Sequence, residues 1–128
     1  MTQEDRELLL KDLCARLPYK VKVKVTATHS NGNEYDEYGH ITDIDNISNS
    51  ISYCNDSNGM LYEAHPGKYK PYLRPMSSMT EEERNELSHY DNSVQRTDFF
   101  YSHHIDCRYM IEKGLALEAP EGMYNIKK

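Results

Sequence analysis

The sequence predicts an α+β fold: an N-terminal helix, a four- to five-stranded antiparallel meander or small SH3-like barrel, and C-terminal helices. Three observations carry that expectation. The chain opens with a capped segment of helical period, from Thr2 to Leu17. From Lys20 the period drops to two, and turn pairs recur as far as Leu73. After Pro75, capping and charge signals of helices return. The 128 residues fit one domain, read as a helix at 2–17, a sheet at 20–74 and a helical segment at 80–117.

The core is expected to be small. Leu, Ile, Val and Phe supply 23 of 128 residues, below the usual globular share. Eleven tyrosines offset part of that deficit, because their rings bury area while the hydroxyl stays paired or wet.

Thr2 caps the first helix, and Asp5 three residues later completes a capping-box pattern. Leu9, Leu10, Leu13, Cys14 and Leu17 fall on one side, which makes Cys14 a small core residue. Pro18 cannot continue the hydrogen-bond ladder and ends the helix near Leu17. Lys20 to Val25 then alternates strictly, a half-buried strand with its valines inward. Asn31-Gly32 suits a type I′ hairpin turn. Further strands follow at 34–44, 50–54, 60–64 and 68–73, separated by Asn58-Gly59 and Pro66-Gly67. Five short strands make a meander that curls into a small barrel.

Thr80 caps the next helix, Glu83 closes its box, and Glu81 and Glu82 suit the positive end of its dipole. This helix is expected to reach about Tyr90, with 91–96 as a loop. Phe99, Phe100, His103 and His104 form a short helix. Asp106 is the N-cap of another, Cys107 to Lys113, with Gly114 beyond its end and Leu115 folding back on Met110 or Ile111. Ile105 is then the joint between two helices.

The net charge is −6 and the pI about 5.5. The one basic run, Lys20, Lys22 and Lys24, reads as a solvated strand face, so nucleic acid is not the expected partner. The charged N-terminus and the short run Leu8–Leu10 suggest neither a leader nor a membrane span. Three widely spaced cysteines without a CxxC pair suit reduced thiols in the cytoplasm. The glycosylation patterns at Asn46 and Asn55 then carry no meaning.

The stretch "SHHIDCRYM" (102–110) looks most like chemistry. Neighbouring residues diverge on helix or strand, so His103 and His104 cannot easily bind one ion. On an unbroken helix His103, Asp106 and Cys107 share a face, but three ligands fall short of a structural zinc site. His40, His65 and His89 are the other candidates, and nothing in the sequence places them nearby. Cys107 with a histidine is a possible nucleophile pair, and a helix N-terminus there lowers its pKa. No motif supplies an orienting third group or an oxyanion hole. Asp43 and Asp45 share a strand face, though a turn beginning at Asn46 makes them an exposed strand end. Ile47 and Ser48 break an EF-hand pattern there. No phosphate-binding glycine loop or HExxH is present.

Binding by an aromatic surface is the other reading. Tyr62, Tyr69, Tyr72 and Arg74 gather around the fifth strand, and Tyr and Arg carry much of the energy of interfaces. The competing view is that these tyrosines replace the missing aliphatic core. An acidic surface can also imitate nucleic acid, but here acids and lysines are mixed.

Three stretches, "TQEDRELLLKDLCARLPY" (2–19), "KPYLRPMSSMTEEE" (70–83) and "HHIDCRYMIEKGLALEAPEGMYN" (103–125), cover 55 of 128 residues. They resemble a family of small uncharacterised proteins encoded by gut anaerobes and their prophages or other mobile elements. The resemblance implies a small cytosolic protein of phage or mobile-element type, and it brings no catalytic residue with it. His103, His104 and Asp106 fit the family pattern, whereas Cys107 stands where an aromatic is common.

The expectation is therefore a non-enzymatic protein-binding module. The alternative is a hydrolase or metal-dependent activity centred on His103, His104 and Asp106. Candidate binding residues are His103, His104, Asp106, Tyr69, Tyr72 and Arg74, with no catalytic residue, metal or cofactor assigned. The expected partner is a protein rather than nucleic acid or a membrane, and the sequence sets no oligomeric state.

Overall fold

Helix α1, Gln3–Arg16, begins and ends where the sequence places it. In this computed structural model, which describes residues 2–45 and 47–124, the Thr2 hydroxyl accepts from the Asp5 N–H at 3.1 Å. The Thr2 N–H donates in turn to the Asp5 carboxylate, closing the box. The buried face is rotated from the expected one. Leu9, Asp12, Leu13 and Arg16 are buried, and Cys14 is exposed instead of packed in the core. The cause is an ion pair that hydropathy does not register: Arg16 Nε lies 2.7 Å from Asp12, and both side chains are fully buried.

The strands are β1 (Lys22–Thr28), β2 (Glu34–Asp45), β3 (Ser50–Asn55), β4 (Leu61–Ala64), β5 (Tyr69–Leu73) and β6 (Leu117–Glu118). Their order is β4-β3-β2-β1-β5-β6. The first four form the expected meander. β5 does not lie beside β4; it returns to pair antiparallel with β1, and β6 adds a parallel strand to β5. The sheet is open, not the closed barrel offered as one expectation. The outer side of β5 is taken by β6, which leaves β4 nothing to close upon.

Alternation holds along β1. Val23 and Val25 are buried with Val21 just before them, while Lys22 and Lys24 face outward. Leu9 and Leu13 of α1, Ile41, Ile51, Tyr53, Tyr69 and Leu73 of the sheet, and Met110, Leu115 and Ala116 complete one core. The hairpin between β1 and β2 differs from the expected type I′ turn. Gly32 is left-handed at φ 91°, but Asn31 is not. The Gly32 N–H donates to His29 O and the His29 N–H to Asn33 O, so a five-residue loop replaces the two-residue one.

Helix α2, Glu81–Ser88, carries the Thr80–Glu83 capping box and stops two residues short of Tyr90. Helix α3, Ser93–Ser102, starts inside the stretch read as loop, because the Asn92 side chain accepts from the Gln95 N–H at 2.8 Å. The helical segment ends there. No helix forms over 107–113, where the chain runs in turns and Tyr109 is left-handed at φ 58°. Asp106 does face backbone amides, as expected, but those of Met110 (2.8 Å) and Ile111 (3.0 Å). Bonds four and five residues ahead close a loop, whereas an N-cap serves amides two or three ahead. The Leu115 N–H donates to Met110 O, which brings Leu115 back into the core. Asn46 and residues 125–128, including part of the C-terminal family-like string, lie outside the described residues. Among the described residues no helix is long and apolar enough to cross a membrane.

Candidate functional site: the His103–Asp106 linker and the sheet surface

The linker after α3 is held by two buried arginines. Arg74, at the end of β5, is 5% exposed and grips Glu83 of α2 with two bonds of 2.8 and 2.7 Å. Its remaining Nη donors reach the carbonyls of Ser78 (3.1 Å) and His103 (3.2 Å). Its backbone brackets Ile105: the Arg74 N–H donates to His104 O, and the Asp106 N–H donates to Arg74 O. From the other side Arg16 donates to Ile105 O at 2.6 Å while paired with Asp12. Arg108 lies 3.5 Å from the same aspartate, and the ring of Tyr101 faces both guanidiniums.

This arrangement separates the residues that looked like chemistry. His103 places Nδ1 2.9 Å from Glu83 and stacks its ring on Phe99. The same Glu83 accepts from the Thr80 N–H. The bonds from Arg74 are the main cause that holds the Glu83 carboxyl down at about 2. His104 turns away in a left-handed conformation (φ 61°) and stacks on Tyr124 at 3.8 Å. Burial, followed by the nearby cations Arg16 and Arg74, pushes its imidazole down to about 4, so it is neutral at pH 7. Asp106 closes its own loop. Burial pushes the Cys107 thiol up, and no helix N-terminus stands there to lower it. Among the described residues no three His, Cys, Asp or Glu side chains could hold one metal ion. A cleft of about 390 Å³ beside Arg74 is lined by Pro75, Ser78, Pro120 and Tyr124, but not by His103, His104 or Asp106.

The tyrosines are dispersed too. Tyr69 points inward, 2% exposed, and donates to Asn49 O; burial pushes its pKa up to about 12. Tyr72 is half-buried on the outer face of the sheet. Tyr62 is exposed on the edge strand β4. Tyr69 and Arg74 thus serve the interior, which is the competing view of the tyrosines. Two outer-face lysines of β1 meet carboxylates, Lys22 with Asp56 (3.7 Å) and Lys24 with Asp36 (3.5 Å), as does Lys68 in the turn before β5, with Glu34 (3.5 Å).

The sequence reading weighed Tyr62 among the tyrosines but not its run with Met60 and Leu61. Met60, Leu61 and Tyr62 are consecutive, 58%, 66% and 38% exposed, at the free edge of the sheet. The signal was available: three apolar residues follow the Asn58-Gly59 turn with no charge among them. No family model, curated protein or solved structure matches the chain.

Proposed function

We propose that this chain is a small non-enzymatic protein-binding module. The observation that carries the reading is the run Met60-Leu61-Tyr62, exposed together on a sheet edge, with Leu61 66% and Met60 58% exposed. A protein partner fits better than nucleic acid, because the net charge is −6 and Lys22, Lys24 and Lys68 already have carboxylate neighbours. The resemblance of stretches 2–19, 70–83 and 103–125 supports a bacterial cytoplasmic setting and a phage or mobile-element origin. Hydrolase or metal chemistry at His103, His104 and Asp106 is the weaker reading, since each of the three is engaged by a different part of the structure.

Panning a displayed random-peptide library against the intact chain tests the proposal. Binders are expected, and Leu61→Asp is expected to weaken them at least tenfold. A library that yields no enrichment overturns the reading.

A further inference from the structure

The protein-binding reading can be taken one step further. We propose that the free side of β4 accepts an extended segment of a partner as an added strand, with apolar residues alternating with lysine or arginine. This rests on the protein-binding reading and names both the surface and the chemistry of its occupant.

The backbone sets the phase. The Asn55 N–H donates to Met60 O at 2.9 Å, and Tyr53 pairs with Tyr62 and Ile51 with Ala64. Antiparallel alternation therefore turns the main-chain groups of Met60, Tyr62 and Ala64 toward β3 and those of Leu61 and Glu63 outward. Among the described residues no strand lies on that outer side. Two donors and two acceptors are thus presented in strand geometry.

The edge carries only part of the usual protection: it is four residues long and bears one charge, Glu63, but holds no proline, lysine or bulge. Proteins blunt exposed edges with proline, lysine, bulges or a covering segment. β4 reads Leu-Tyr-Glu-Ala and pairs with β3 without a register shift. The opposite edge, β6, is only two residues long and offers a shorter template than β4.

Side chains define the occupant. Leu61 and Tyr62 point to opposite faces of the strand, so apolar residues of an added strand find contacts on either face. Glu63 shares the face of Leu61, and its contact with the His65 ring at 3.8 Å is solvent-exposed and weak. A cation on the added strand can therefore claim that carboxylate. The net charge of −6 steers a basic segment toward the protein. A second copy of this chain suits the edge less well. Two four-residue strands fall far short of the roughly 1,200 Å² of a stable interface. A partner segment is free to run on beyond both ends.

The probe is a capped eight-residue peptide of alternating valine and lysine, titrated into the isotope-labelled chain and followed by amide NMR. The control peptide has glutamate for lysine. The amides of Leu61 and Glu63 are expected to shift and to exchange more slowly, with a Kd of about 1 mM or tighter and a control at least tenfold weaker. Leu61→Pro removes an outward N–H and spares the ladder to β3, and it is expected to weaken the peptide at least tenfold. Glu63→Lys is expected to erase the preference for the basic peptide. Silent Leu61 and Glu63 amides, equal binding of the control, or self-association through these amides in place of peptide binding would each overturn the proposal. Library binders that map elsewhere sink only the β4 assignment; a library without binders sinks the protein-binding reading itself.

Discussion

Arg16 and Arg74 are both buried, both paired with a carboxylate, and both donate to the linker between α3 and the final turns. They differ in what they join. Arg16 finds Asp12 one turn back on its own helix, so that pair forms whenever α1 forms. Arg74 finds Glu83 on another element and, through the same carboxylate, His103 on a third. One arginine is a local pair that reaches out to Ile105 O and the Tyr101 ring. The other is a tertiary knot among β5, α2 and the linker. The contrast accounts for the path of the linker: two buried guanidiniums hold its main-chain carbonyls, and the Asp106 carboxylate closes the loop that follows.

Deleting the knot is expected to hurt most. Arg74→Met leaves the buried Glu83 carboxylate with the Thr80 N–H and the partly exposed His103 but without its cation, at a cost of about 3–5 kcal/mol. Arg16→Met is expected to cost roughly half as much, because Arg108 already stands 3.5 Å from Asp12 and can take over its charge. Urea unfolding of both variants measures the difference. Equal losses would break the distinction between local pair and tertiary knot.

Acid probes the same side of the molecule. The folded chain holds His104 down at about 4, well below its ordinary value, so the unfolded chain binds the proton first as pH falls. Stability is therefore expected to drop by about 2 kcal/mol between pH 7 and pH 5. For this histidine the loss levels off below about 4. Glu83 acts later. Its depressed pKa makes its contribution full above the ordinary carboxylate range, and that contribution is lost as pH falls toward about 2. The urea midpoint at pH 7, 5 and 3 follows both phases. His104→Asn, which tolerates the left-handed backbone, should flatten the first phase and spare the second. A wild-type midpoint unchanged between pH 7 and pH 5 would mean that His104 is not buried neutral.

Much of the fold was legible because local rules govern it. The Thr2 and Thr80 capping boxes, the alternation of β1 and the glycine turns all lie within a few residues of their causes. What escaped was long-range. The return of β5 to β1 and the parallel β6 depend on which edge is free, which no short window records. The burial of Asp12, Arg16, Arg74 and Glu83 ran against hydropathy, because each is acceptable inside only with its partner. The helix expected over 107–113 failed for a related reason. Asp106 is a good N-cap by type, but its carboxylate closes a longer loop onto Met110 and Ile111. The stretch 102–110 looked like chemistry in the sequence because two of its partners, Glu83 for His103 and Arg16 for Ile105 O, lie 20 and 89 residues away in the chain.

Two milder substitutions sharpen the account of that linker. Asp106→Asn keeps one acceptor and turns an amide donor against a backbone N–H, which is expected to cost about 1.5 kcal/mol. His103→Gln is expected to be the gentlest change. The His103 side chain is 34% exposed, and Glu83 keeps both bonds from Arg74 and the one from Thr80 when the imidazole is gone. A loss below about 1 kcal/mol, typical of a partly exposed pair, follows if Arg74 alone anchors the carboxylate. A double-mutant cycle of His103→Gln with Arg74→Met separates the alternatives. Weak coupling makes His103 an outer neighbour of the knot. Strong coupling would make it a full member, and the local pair and the tertiary knot would then differ by two residues rather than one.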